Sequence, residues 1–228
     1  MATIRLFGST VRGDGDQHSD TDVLVAYKSR PDAREKDAVA FRIAEELGCK
    51  PDIAHYSVTR IMKFFASGDL FAWHLYQESR PIMLSDSDFV TSLSAPMPYI
   101  SVERDMQSFI SMLREIPQQL ITAPNNYAYE AGLLYLTSRN IGMAASYGLG
   151  GKIDFSRLAA LNISTKLEVE FPFSQNEYAT LISCRHASQR GAPIPSCPPN
   201  LNRRANSLVE WSMRIVAAMK SMSLETKL

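Results

Sequence analysis

The strongest restriction on the fold comes from two short apolar segments separated by a polar, glycine-containing loop. Residues 3–7 predict a strand that ends at Gly8, and Asp22–Tyr27 (DVLVAY) is apolar and β-branched enough to predict a buried strand. An amphipathic helix is expected over residues 32–47, and a third strand over residues 52–56. This order of elements predicts a mixed α/β unit.

The pattern changes in the second part of the chain. Helical stretches at residues 60–66 and 69–76 and a short strand at 81–84 precede a linker rich in Ser, Asp and Pro at 85–98. Beyond it, apolar residues recur every three or four positions, which predicts long helices over residues 101–120, 127–147, 174–189 and 201–222. Four helices suffice for a bundle. We therefore predict an α/β (α+β) domain with a small mixed sheet over residues 1–88 and an all-α helical bundle over residues 99–228.

Composition excludes several classes of protein. The 228 residues contain 24 Lys+Arg and 24 Asp+Glu, so a basic nucleic-acid coat is absent. The three cysteines form no Cys-x-x-Cys pair, which argues against a disulfide framework and a cysteine zinc site. Neither a signal-peptide pattern nor a long apolar run occurs, so we expect a cytoplasmic protein that does not cross a membrane.

The loop between the first two strands carries the residues with the clearest chemical potential. Gly8 and Ser9 follow the first strand, and Asp20-x-Asp22 leads into the second. Because strand side chains alternate, Asp20 and Asp22 should point to the same face. Neighbouring carboxylates repel each other unless a cation lies between them, and Mg²⁺ takes carboxylate oxygens while leaving positions open for phosphate. We expect Mg²⁺, or Mn²⁺ in its place.

A third carboxylate and the glycine turn complete the pattern. Asp52 lies at the start of the third predicted strand, so three carboxylates converge if that strand neighbours the second. That set would suffice for a two-metal site. Glycine at position 8 would let the backbone approach a bulky anion, and backbone N–H groups with the Ser9 hydroxyl could hold phosphate.

These motifs resemble those of the DNA polymerase beta-like nucleotidyltransferase superfamily. The resemblance lies in Gly8-Ser9, in Ser19-Asp20-x-Asp22 and in the later strand Asp. The loop Gly-Ser-Thr-Val-Arg-Gly-Asp is similar to the Gly-Ser-x-Ala-Arg-Gly form of the minimal prokaryotic nucleotidyltransferases. The run at residues 67–78 is similar to the segment that closes their catalytic domain.

The resemblance implies transfer of a nucleoside monophosphate from an NTP to an acceptor hydroxyl or phosphate, with release of pyrophosphate. Asp20, Asp22 and Asp52 would be the catalytic metal ligands, and Asp52 would also help to deprotonate the acceptor. The residues expected to bind the nucleotide are Gly8, Ser9, Arg12 and Ser19.

The resemblance leaves the acceptor and the partners open. A small antibiotic-like molecule, a protein side chain and an RNA end all fit as acceptors, and a prokaryotic toxin–antitoxin or defence role is expected by resemblance alone. Family members usually have a helix ahead of the first strand, so we expect the helical half, a second copy or a protein partner to cover the sheet. Five arginines of the later helices form either solvated helix faces or a patch for an RNA or phosphate-bearing acceptor: Arg185, Arg190, Arg203, Arg204 and Arg214.

A second interpretation is a binding module rather than an enzyme. In that case the chain would be a transferase-like antitoxin or regulator that holds a nucleotide, or a partner protein, without turnover. The intact set of Asp20, Asp22 and Asp52 argues against this interpretation.

Overall fold

The computed structural model describes residues 2–15, 19–82 and 88–225. The chain divides into two compact units, Met1–Ile100 and Ser101–Leu228. The domain limits drawn from the sequence, residues 1–88 and 99–228, stay predictions about which segments fold independently.

A four-stranded mixed sheet forms the centre of the first unit. In chain order its strands are β1 (Ala2–Phe7), β2 (Asp22–Tyr27), β3 (Asp52–Ser57) and β4 (Arg80–Pro81). They lie in the order β3-β2-β1-β4, with β1 antiparallel to β2 and β4, and β2 parallel to β3. The helices of this unit are α1 (Ser9–Arg12), α2 (Ala33–Leu47), α3 (Val58–Ser67) and α4 (Leu70–Glu78). The predicted small mixed sheet is confirmed.

Helix α2 provides the crossover that the parallel pairing of β2 and β3 requires, because a tight hairpin can join only antiparallel strands. The Asp32 carboxylate accepts a hydrogen bond from the backbone N–H of Glu35 at 2.8 Å and caps the first turn. Gly48 ends the helix in the left-handed conformation, with a φ of 65°. Both ends agree with the helix predicted over residues 32–47.

The two faces of the sheet are covered by different helices. On one face, Ile4 and Val25 belong to a cluster that reaches α2 through Ile43. On the other face, Phe7 and Leu24 belong to a cluster with residues of α3 and α4. Because both faces of β2 are buried, its sequence is apolar at almost every position. Side-chain alternation places Asp22 on the same face as Leu24, so Asp22 lies on the side of α3 and α4.

The segment predicted as a strand and linker differs from that expectation. Strand β4 covers only Arg80–Pro81, and residues 83–84 of the predicted strand lie outside the described residues. The linker was predicted over residues 85–98, of which 88–98 are described. This part contains a 3-10 turn at Val90–Ser92, and Val90 is buried in the cluster with α3 and α4. Part of the Pro- and Ser-containing segment therefore contributes to the core of the first unit.

Helices form the described part of the second unit. They are α5 (Val102–Thr122), α6 (Tyr127–Gly150), α7 (Ala159–Lys166), α8 (Gln175–Arg190) and α9 (Leu201–Glu225). The predicted helical character is confirmed, and a capping box between Ser174 and Glu177 opens α8. The helix predicted over residues 127–147 is longer than expected, because α6 continues to Gly150 and ends at Gly151 with a φ of 67°. Helix α7 was not predicted.

None of the described helices is both long and apolar enough to cross a membrane.

Two helix-ending glycines of the first unit provide a matched test of local packing. Gly68, after α3, and Gly48, after α2, both have positive φ, 66° and 65°. A Cβ on Gly68 would collide with the carbonyl oxygens of Met97 and Pro98, whereas nothing lies within 4 Å of a Cβ on Gly48. We expect Gly48→Ala to lower the free energy of unfolding by about 1–2 kcal/mol, the cost of the left-handed conformation.

Gly68→Ala should cost more than about 3 kcal/mol, because the chain at residues 97–98 must also move. Urea titration followed by circular dichroism and fluorescence measures both losses. Equal losses for the two variants would show that the contact with residues 97–98 does not stabilise the unit.

Candidate active site

The chain turns sharply at Gly8, where β1 passes into α1. Gly8 has φ 73° and ψ −150°, and its carbonyl oxygen accepts hydrogen bonds from the N–H groups of Val11 and Arg12 at 3.1 and 3.2 Å. A Cβ at this position would collide with Oδ2 of Asp22. Glycine is therefore required twice, by the positive φ and by the carboxylate that lies against the backbone. The predicted polar loop begins with one helical turn that was not predicted.

Parallel pairing of β2 and β3 brings two of the three predicted carboxylates together. Asp22 and Asp52 are register partners and the first residues of their strands. Neighbouring strands lie about 4.8 Å apart, so the two side chains stand side by side on one face. The backbone N–H of Asp52 donates a hydrogen bond to the carbonyl oxygen of Thr21 at 2.9 Å, which fixes this register at its first residue.

Asp20 lies two residues before β2 and is partly buried. Among residues 2–15, 19–82 and 88–225, no group of three or more His, Cys, Asp or Glu side chains is arranged to hold a metal ion. The convergence of Asp20 with Asp22 and Asp52 therefore stays a prediction. The chemistry of the available donors fits a hard divalent cation, because paired carboxylates are the ligands that Mg²⁺ prefers in proteins.

Ser9 precedes and Ser19 follows Gly15 along the same loop, and the hydroxyl groups of both residues lie near Gly15. A Cβ on Gly15 would be 3.3 Å from the Ser19 hydroxyl oxygen and 3.7 Å from that of Ser9. Ser9 is the first residue of α1 and directly follows the Gly8 turn. The structure therefore places both predicted hydroxyls, Ser9 and Ser19, near each other at the end of β1.

Arg12, at the end of α1, is held by two carboxylates. Its Nη1 donates to Oε2 of Glu78 at 2.6 Å, and its Nε donates to Asp14 at 3.1 Å. Burial acts to lower the pKa of Arg12, but the hydrogen bonds to Asp14 and Glu78 outweigh it and the pKa is raised. A contact between Arg12 and a nucleotide would therefore add to these ion pairs or replace them.

Glu78 is a residue of this cluster that the sequence analysis did not single out. It also pairs with His74 one turn earlier on α4, with 3.2 Å between Nε2 and Oε2. Burial acts to raise the pKa of Glu78, but the adjacent His74 and Arg12 side chains outweigh it, and the pKa lies below its ordinary value. The sequence shows Glu78 in the run at residues 67–78, but a pairing across 66 positions has no local signal.

Comparison with known families now bears on this geometry. The family model for a nucleotidyltransferase domain matches residues 1–72, a span that contains Gly8, Asp20, Asp22 and Asp52. Residues 1–72 are a nucleotidyltransferase domain. The expected resemblance to nucleotidyltransferases is thereby confirmed for this part of the chain. The match ends within α4, before Glu78.

Similarity between this chain and other known proteins is low. No curated protein sequence matches the chain. One solved structure similar to the chain is that of spectinomycin adenyltransferase AAD(9) from Enterococcus faecialis with ATP and spectinomycin. It is 12% identical, the similarity covers 92% of this chain and 91% of the other, and the TM-score is 0.48. A similarity at this level identifies no substrate for the nucleotidyltransferase domain described above.

The two glycines that flank α1 provide a matched test of the candidate site. Gly8 and Gly13 have similar φ, 73° and 76°, but only the Cβ of an alanine at Gly8 would meet Asp22, since nothing lies within 4 Å of a Cβ on Gly13. We expect Gly8→Ala to displace the Asp22 carboxylate and to weaken NTP binding in Mg²⁺ at least about tenfold, while Gly13→Ala leaves it within about twofold.

Isothermal titration calorimetry measures both affinities, and circular dichroism checks that each variant is folded. Unchanged NTP affinity in folded Gly8→Ala protein would contradict a nucleotide site at this turn.

Proposed function

We propose that the chain transfers a nucleoside monophosphate from an NTP to an acceptor hydroxyl or phosphate and releases pyrophosphate. The observation that carries this proposal is the pairing of Asp22 with Asp52, together with the contact between Asp22 and the Gly8 turn. The match of residues 1–72 to a nucleotidyltransferase domain supports the same reaction class.

The proposed reaction forms one bond and breaks one bond. The acceptor oxygen attacks the α-phosphorus, and the bond from that phosphorus to the bridging oxygen breaks, so that pyrophosphate leaves with the electron pair. Asp52 accepts the proton when the acceptor is a hydroxyl. It is exposed at the start of β3, so an acceptor can reach its carboxylate from solvent.

The remaining predicted residues bind the triphosphate. Gly8 has no side chain to keep a phosphate away from the backbone, and Ser9 presents its hydroxyl at the start of α1. Asp20, Asp22 and Asp52 are the residues that would hold Mg²⁺ or Mn²⁺. When bound, the metal would offset the charge of the phosphates and of the leaving pyrophosphate. Ser19 and Arg12 would contribute a hydroxyl and a guanidinium to the same site.

The acceptor stays open among a small molecule, a protein side chain and an RNA end, and the contacts of Arg204 bear on the last of these. The guanidinium of Arg204 is bound by the Glu177 carboxylate at 2.7 Å and donates to the carbonyl oxygen of Pro172 at 2.8 Å. These contacts support a structural role for this arginine rather than an RNA contact. The cytoplasmic location, the toxin–antitoxin or defence context and an interaction with a second copy stay predictions.

Transfer by the wild-type protein is tested with labelled nucleotides. The full chain is incubated with Mg²⁺, cell lysate and each of the four α-³²P-labelled NTPs, and the products are separated by gel electrophoresis and thin-layer chromatography. We expect label on an acceptor and release of pyrophosphate with at least one NTP. Calorimetric NTP binding without labelled product in any lysate would favour the alternative, a regulator that binds nucleotide without turnover.

The carboxylates are tested by amide substitutions that preserve size. We expect Asp22→Asn and Asp52→Asn each to lower the transfer rate at least about 10²-fold, because metal ligands stabilise charge mainly in the transition state. Asp37→Asn is the matched control, since Asp37 is exposed on α2, the helix that covers the opposite face of the sheet.

Excess EDTA should abolish transfer, and Mn²⁺ should restore it. Full transfer by Asp22→Asn protein in EDTA would refute the metal-dependent reaction.

A further inference from the structure

An ion pair between Arg12 and Glu78 joins the short helix α1 to the end of α4. The side chains of these two residues are only 15% and 16% exposed, and 2.6 Å separates Nη1 from Oε2. Charged groups this well shielded from water lose hydration, and such a pair is often no more stabilising than an apolar one of similar size. Stability alone is therefore a weak reason for this pair.

Arg12 retains donor capacity beyond its two ion pairs. A guanidinium carries five N–H groups in one plane. Nε is occupied by Asp14 and Nη1 by Glu78, whereas Nη2 makes no hydrogen bond to any residue in the described part of the chain. Two carboxylates thus hold the group at Nε and Nη1 and leave the two N–H groups of Nη2 for a further acceptor.

Contacts within the first unit connect this pair to the candidate site. Glu78 binds His74, and the His74 ring meets the Phe7 ring edge to face with 5.4 Å between centroids. Phe7 is the register partner of Asp22 and immediately precedes Gly8. Arg12 also lies three residues after Ser9, so both residues belong to the single turn of α1.

We propose that Glu78 is a positioning residue for nucleotide binding. It holds the Arg12 guanidinium beside the Gly8–Ser9 turn, so that Nη2 donates to the triphosphate of the incoming nucleotide. The inference rests on the proposed function, because it assigns Arg12 to the phosphates of an NTP. In the absence of nucleotide, Glu78 and Asp14 balance the charge of Arg12. With nucleotide bound, the ion pair to Glu78 persists and limits the rotamers of Arg12.

The test is a double-mutant cycle on the full chain, with NTP affinity as the readout. Wild-type protein is first titrated calorimetrically with ATP, GTP, CTP and UTP in Mg²⁺, and the nucleotide with the highest affinity is used afterwards. We expect Glu78→Gln and Arg12→Ala each to weaken its binding about tenfold. In the double variant the Glu78→Gln change should add less than about twofold, because Glu78 acts only through Arg12.

Glu177→Gln is the matched control, since it removes the charge of an Arg–Glu ion pair in the second unit. Glutamine can still form the capping box with Ser174, and NTP affinity should stay at the wild-type value. Thermal unfolding verifies that each variant is folded. If Glu78→Gln does not fold, Glu78→Asp replaces it, since the charge is kept and only the reach to Arg12 is shortened. We then expect an intermediate loss of affinity that disappears in the Arg12→Ala background.

The possible outcomes separate the inference from the proposed function. If wild-type protein binds none of the four NTPs, the proposed function fails. If wild-type protein binds an NTP and Glu78→Gln binds it equally well, Glu78 is only structural and the inference fails. Tighter binding by Glu78→Gln would also overturn the inference, because it would show that Glu78 competes with the nucleotide for Arg12.

Discussion

The parallel pairing of β2 with β3 is the constraint on which the candidate site depends. It requires the crossover through α2 and makes Asp22 the register partner of Asp52. A slip of one residue would move Asp52 to the face covered by α2, away from Asp22. The register is held by the apolar side chains of β2, which are buried on both faces of the sheet.

The register of β2 with β3 also brings negatively charged side chains together where the two strands begin. The paired carboxylates of Asp22 and Asp52 stand close together, and the acidic side chain of Asp20 lies two residues away along the chain. Such a concentration of negative charge costs free energy in a folded protein unless a cation offsets it. Arg12 is engaged by Asp14 and Glu78, and the divalent cation of the proposed reaction would add positive charge beside the paired carboxylates.

The second unit uses small residues and arginines to pack its helices closely. A Cβ on Gly132 of α6 would lie 2.9 Å from Cα of Arg185 on α8, so the two helices can approach this closely only with glycine at that position. The guanidinium of Arg139 donates to the carbonyl oxygens of Phe155 and Ser156 at 2.6 and 3.1 Å and thereby holds the loop before α7. Like Arg204, this arginine donates to backbone carbonyl groups within the unit.

The sequence by itself determined the elements whose signals are local. Asp22–Tyr27 was predicted as a strand because an uninterrupted apolar, β-branched segment is stable only when both faces are buried, and α2 was predicted from its amphipathic pattern. Tertiary structure decided what no local signal encodes. The collision that excludes a side chain at Gly8 depends on Asp22 from another strand, and the pairing of Arg12 with Glu78 joins residues 66 positions apart. The register of Asp22 with Asp52 likewise follows from the packing of two faces of a sheet, because each contact joins side chains that only the folded chain brings together.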